Sequence, residues 1–154
     1  MSRAFVKEDT GESLEDLPDR PVSEHRNLVT PDGLAAIEAE VERLSSAYAE
    51  AQTSADRAAL QKIARDLRYW SQRQASAELM SAPIDTGTVQ FGSRVTLLRS
   101  DGRRVAYRIV GEDEADPAKG SISYVSPLAR ALIGKAEGDT VPMGATEAEI
   151  ERIA

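Results

Sequence analysis

Two apolar seams constrain this chain more than any other feature. Leu34, Ile37, Val41, Leu44, Tyr48 and Ala51 recur at alternating steps of three and four, which puts them on one face of a helix. A second seam runs through Leu60, Ile63, Leu67 and Trp70 and continues to Gln74 and Ala77. Between them lies Thr53-Ser54-Ala55-Asp56, and a dry interface excludes Asp56 from the seam. The pattern predicts an antiparallel αα-hairpin over residues 30–82, a coiled coil with a short polar tip. Thr30 is placed as the first N-cap, with Pro31 at the first helical position and Asp32 at the positive end of the dipole. Ser54 is the expected cap of the second helix, and Pro83 lies at or just beyond its end. Arms of roughly 22–26 residues reach about 33–39 Å. The first arm is acidic and the second basic, which favours antiparallel pairing.

The pattern changes period after residue 82. Residues 83–90 form a connector with a turn at Gly87. Val95, Leu97 and Arg99 alternate with Thr96 and Leu98 before Ser100-Asp101-Gly102, a hairpin-turn signal, and Val105, Tyr107 and Ile109 alternate on the return strand. An acidic loop from Glu112 to Gly120 precedes a third strand, Ile122-Ser123-Tyr124-Val125. Pro127 starts a short helix that Gly134 stops. Gly138-Asp139 turns into Thr140–Met143, and Ala148, Ile150 and Ile153 suit either a last strand or a short helix. The fold class is therefore α+β: a helical hairpin followed by a β domain with one short helix.

Composition narrows the function classes. The chain has no cysteine, which excludes disulfides and thiolate metal sites, and its single histidine, His25, has no clustered ligand partners. No apolar run approaches the ~20 residues that span a bilayer, and no signal-peptide stretch opens the chain, so a cytoplasmic location without membrane contact is expected. A net charge of −7 argues against wrapping duplex DNA. Residues 1–29 are the most acidic segment for their length and lack any sustained period. They read as a flexible arm, either a solubilising tail or a docking segment.

The run Ser126-Pro127-Leu128-Ala129-Arg130-Ala131-Leu132-Ile133-Gly134-Lys135, preceded by Tyr107-Arg108-Ile109-Val110-Gly111-Glu112-Asp113-Glu114-Ala115-Asp116, resembles the C-terminal domain of the GreA/GreB transcription elongation factors. The resemblance covers roughly residues 28–154 and implies an FKBP-like domain over residues 83–154 with a strand at its C-terminus. It also implies a partner, RNA polymerase, gripped at the rim of its secondary channel while the hairpin enters toward the active site. The resemblance maps the polymerase-contacting residues onto Ser123, Tyr124, Val125, Ser126, Pro127 and Arg130, of which Pro127 matches the family. Val125 stands where the family carries Asp or Asn.

At the hairpin tip the family bears an acidic pair that helps polymerase hold a second Mg²⁺ and activate water against an RNA phosphodiester. Here the tip reads Glu50-Ala51-Gln52-Thr53-Ser54-Ala55-Asp56-Arg57, without the family motif and on a hairpin about six residues shorter, or ~9 Å. Asp56 is the foremost candidate ligand and Glu50 the second. A dipole-favoured surface position by itself accounts for Asp56 and is the simpler reading. The chain needs no cofactor of its own, since the Mg²⁺ belongs to polymerase.

Lys62, Arg65, Arg68 and Arg73 could line the second helix as a basic face toward nascent RNA or polymerase, although such residues are commonly only solvated. Trp70 lies in the seam, where packing explains it better than base stacking. The expected activity is regulation of elongation, by stimulating cleavage of backtracked RNA or, alternatively, by occupying the channel without cleavage as Gre-like inhibitors and Rnk proteins do. In both, the active site is polymerase's and the chain is no enzyme, acting as a monomer. A prolyl isomerase reading fails on aromatics, with only Phe91, Tyr107 and Tyr124 after residue 82. A coiled-coil module for another partner is the remaining alternative.

Overall fold

In the computed structural model, residues 17–154 are described, and they form two compact units. One comprises residues up to Glu24 together with Ala35–Ser76, the other His25–Leu34 together with Ala77–Ala154. The N-terminal part of the expected arm lies outside the described residues.

The first unit is built on helices α1 (Pro31–Ser54) and α2 (Arg57–Ser76), with the first turn of α1 counted in the second unit. Ile37, Leu44 and Ala51, seven residues apart, are buried, and Val41 and Tyr48 are half-buried between them. On α2, Leu60, Ile63, Leu67 and Trp70 are half-buried. The seam does not continue to Gln74, which is exposed. Arg73 takes the deep position instead, at 2% exposure.

The tip is a two-residue link. The N–H of Asp56 reaches the carbonyl of Ala51 at 3.2 Å, and that of Ala55 reaches Gln52 at 3.3 Å, the paired bonds of a Schellman cap. Ala55 has φ +55°, a conformation that ordinarily goes to glycine. Ser54 does not cap α2 as expected. Its hydroxyl turns back to the carbonyls of Glu50 and Ala51, and the cap is Asp56, whose Oδ1 accepts the Ala59 N–H at 3.1 Å. Asp56 thus ends one helix and starts the next.

Helix α2 stops at Ser76, short of the boundary expected at residue 82. The cause is a competing partner for the backbone: β1 (Leu28–Val29) pairs in parallel with β2 (Glu78–Leu79). Glu78 N–H reaches the Asn27 carbonyl at 2.8 Å and Met80 N–H the Val29 carbonyl at 2.9 Å. Leu28 and Val29, at the end of the expected arm, are buried.

The second unit contains a five-stranded sheet in the order β5-β4-β3-β7-β6. Its strands are β3 (Arg94–Arg99), β4 (Arg104–Val110), β5 (Ser121–Ser123), β6 (Thr140–Met143) and β7 (Thr146–Ile153). Within this sheet only β4–β5 is parallel. Short helix α3 (Pro127–Leu132) contributes Ala129 and Leu132 to a core shared with Val95, Leu97, Ile109 and Ile150. Each such side chain taken from water is worth about 1.5–3 kcal/mol for the larger aliphatics. The C-terminal ambiguity resolves as a strand with a bulge. Thr96 faces Arg152 but Leu97 faces Ile150, so Glu151 is the extra residue. That insertion lets Ala148, Ile150 and Ile153 all turn inward despite their spacing of two and three.

Candidate functional site

Three places carry the candidate residues: the turn after β5, the helical tip, and the face of α2. The turn begins where β5 ends. Ser126 N–H returns to the Ser123 carbonyl at 3.0 Å, closing a β-turn with Tyr124 and Val125 at its centre. Ser126 then caps α3, its Oγ accepting the Ala129 N–H at 3.3 Å, and Pro127 fits the first helical position. Tyr124 is fixed from two sides: its hydroxyl donates to the Arg26 carbonyl, and its ring meets Phe91 edge-on at 5.6 Å. Pro127 and Arg130 are exposed on α3, while Ser123, Tyr124, Val125 and Ser126 are half-buried. Beside the turn lies an apolar groove of about 440 Å³ lined by Pro127, Leu128, Ala131, Pro142, Met143 and Gly144. The expected contact residues therefore lie together on one turn and the helix it opens, where Val125 provides no side-chain charge or hydrogen bond.

The acidic loop divides its roles. Its 3₁₀ turn, Glu112–Glu114, sends the Glu114 carboxylate to the start of α1. Oε2 accepts the N–H groups of Thr30 at 3.0 Å and Gly111 at 3.1 Å, and Oε1 accepts the Thr30 hydroxyl. Thr30 Oγ1 in turn accepts the Gly33 N–H at 3.0 Å. A Cβ at Gly33 would stand 2.1 Å from Glu114 Cδ, and one at Gly111 would stand 2.3 Å from the Leu28 carbonyl oxygen. Sequence reading finds the Thr30 cap but misses Glu114. The available signal is a capping box with its acid missing, since Gly33 sits where Glu or Gln belongs.

At the tip, Asp56 is exposed and its carboxylate caps α2. Glu50 is exposed on α1. No three His, Asp or Glu side chains converge on a metal-sized site among the described residues. A single capping carboxylate is no ion site by itself, though it retains a second oxygen for a partner's metal.

The four cations assigned to α2 do not share one exposed face. Lys62 is exposed, and Arg68 is exposed but paired with Asp19 at 2.7 Å. Arg65 is half-buried, 3.7 Å from Asp66. Arg73 is buried and cannot meet nucleic acid.

Residues 84–153 match the family model for the C-terminal domain of the GreA/GreB transcription elongation factors. The chain is 42% identical over 97 residues to transcription elongation factor GreB of Neisseria meningitidis, covering 59% of this chain and 60% of that protein. It is 35% identical over 138 residues to transcription elongation factor GreA of Ruegeria pomeroyi, covering 73% and 85%. Some relatives are matched over less of their length: the chain spans 60% of the Neisseria protein and 52% of GreA from Anaeromyxobacter. Among solved structures it is similar to the GreA factor homolog Gfh1 of Thermus thermophilus, at 19% identity and TM-score 0.42, over 84% of this chain and 99% of that one.

Proposed function

The chain belongs to the GreA/GreB family of transcription elongation factors, and on that premise we propose that it binds bacterial RNA polymerase at the secondary channel and regulates elongation. The observation that carries this reading is the Ser123–Pro127 turn. It joins a capped helix, an exposed Arg130 and an apolar groove in one preorganised patch, and preorganisation lowers the entropic cost of docking. The chemistry belongs to polymerase and its Mg²⁺, and this chain holds no cofactor. The protein acts as a monomer in the cytoplasm. No helix among the described residues is long and apolar enough to cross a membrane.

Cleavage of backtracked RNA is the finer question, and Asp56 is its residue. In the cleavage reading, the oxygen of Asp56 not used in capping meets the weakly held Mg²⁺ of polymerase. The tip favours the second reading, occupancy of the channel without cleavage, because Asp56 is already bonded to α2 and no second acid flanks it in the link.

Labelled protein titrated with core RNA polymerase tests the binding. Saturable binding, displaced by a genuine GreA and weakened at least tenfold by Arg130→Ala with Leu128→Asp, is expected. Absence of binding sinks the proposal. RNA cleavage by stalled, backtracked polymerase then separates the two modes of action.

A further inference from the structure

Asp19 and Arg20, within the expected N-terminal arm, are docked on α2. The Arg20 guanidinium lies 3.9 Å above the Tyr69 ring and 5.8 Å from that of Trp70, and its Nη1 is 3.4 Å from Asp66 Oδ1. Tyr69 and Trp70 meet edge-on at 5.1 Å, and the ring face that Arg20 covers is that of Tyr69. Next to it, Asp19 Oδ1 accepts the Arg68 Nε–H at 2.7 Å. The anchor is Arg20, whose side chain is 36% exposed, against 75% for Asp19.

An aromatic face beside an arginine is what single-stranded nucleic acid uses, the ring for a base and the cation for a phosphate. The arm supplies a substitute for each: Arg20 covers the ring face, and the carboxylate of Asp19 holds the arginine. We propose that residues 17–24 are a self-docking strap that occupies a single-strand-binding face on α2 and suppresses its use. The contacts suit displacement. Exposed ion pairs are weak and salt-screened, so a polyanion competes with Asp19 on favourable terms.

Arg20→Ala in the full chain tests this, because its charge effect opposes the predicted one. Removing a cation makes the protein more negative, yet release of the strap should tighten binding. Trp70 is the only tryptophan, so acrylamide quenching of its fluorescence reports undocking. Binding of a fluorescein-labelled oligouridylate, followed by anisotropy across a salt series, reports unmasking.

Arg20→Ala should increase quenching, tighten oligouridylate binding about threefold or more, and steepen the salt dependence by about 0.7 per phosphate newly contacted. Arg68→Ala added to it should reverse the gain. Glu24→Gln removes an arm charge that makes no docking contact with α2 and should reproduce neither effect. Unchanged quenching would show that the strap is not docked. Increased quenching with unchanged or weaker binding would show that it masks nothing. An equal gain from Glu24→Gln would assign the effect to arm charge. Each of these overturns the proposal, and none involves polymerase, so the result stands apart from the reading above.

Discussion

Glu114 accepts the backbone N–H of Thr30 at 3.0 Å across 84 residues of sequence, the role that a residue of the helix itself fills in an ordinary capping box. The third helical position is Gly33, whose missing side chain leaves the space that the Glu114 carboxylate occupies. Within the second unit, which includes Thr30 and the first turn of α1, a loop therefore completes the cap through charge-assisted bonds.

Glu114→Ala should lower stability by about 2 kcal/mol, through the lost bonds and the orphaned N–H groups of Thr30 and Gly111. Gly33→Ala should destabilise too, because its Cβ collides with Glu114. The double variant should cost clearly less than the sum, since Glu114→Ala vacates the space that the added methyl group needs. Urea unfolding of the four proteins gives the coupling, and strict additivity would refute the shared-space argument.

Ala55→Gly should raise stability by about 0.5–1 kcal/mol, as relief of the left-handed strain exceeds the added freedom of glycine in the unfolded chain. Thermal melts would register this as a few degrees. A loss of stability would mean that the Schellman link does not form in solution.

Capping and catalysis at Asp56 separate by chemistry. Asn caps a helix about as well as Asp, whereas Ala loses about 1 kcal/mol. Asp56→Asn should therefore leave the melting temperature near that of the parent, and Asp56→Ala should lower it. In a backtracked-polymerase cleavage assay the channel-occupying mode predicts no stimulation by the parent or either variant. Stimulation by the parent that Asp56→Asn abolishes would establish the carboxylate as a metal ligand instead.

Three surface carboxylates are held below their ordinary values chiefly by hydrogen bonds: Glu151 by Arg104, Glu78 by Arg26 and Glu40 by Arg43. Because the folded state lowers these values, the stability they contribute is complete above the unfolded carboxylate range. It is lost as pH falls through the folded values. Stability should be level near neutrality and decline below about pH 4.5. The gap between the parent and Glu151→Gln, read from urea midpoints, should be largest near pH 7 and close in acid. A gap that widens in acid would contradict the sign.

Legibility in the sequence follows the range of each interaction. Leu44 and Leu60 fall on their seams by spacing alone, and Ser100-Asp101-Gly102 marks its hairpin, because local chain geometry dictates both. Tyr124 and Pro127 come together because five consecutive residues make the turn. Arg73 reads from sequence as an exposed cation, since composition does not say which side of a helix loses its water. Ser54 and Asp56 are both good cap residues two positions apart, and only the path of the link chooses between them.

The sequence by itself determined the elements: where apolar residues recur with helical or strand period, where proline and glycine break them, and a run specific enough to mark the family. Tertiary structure decided what short-range pattern leaves open. It ended α2 at Ser76 by offering Glu78 a strand partner, inserted Glu151 as a bulge, and brought Glu114 to Thr30 and Arg20 to Tyr69. These are encounters between residues far apart in the chain. Their energies depend on distance in space, which periodicity and propensity do not encode.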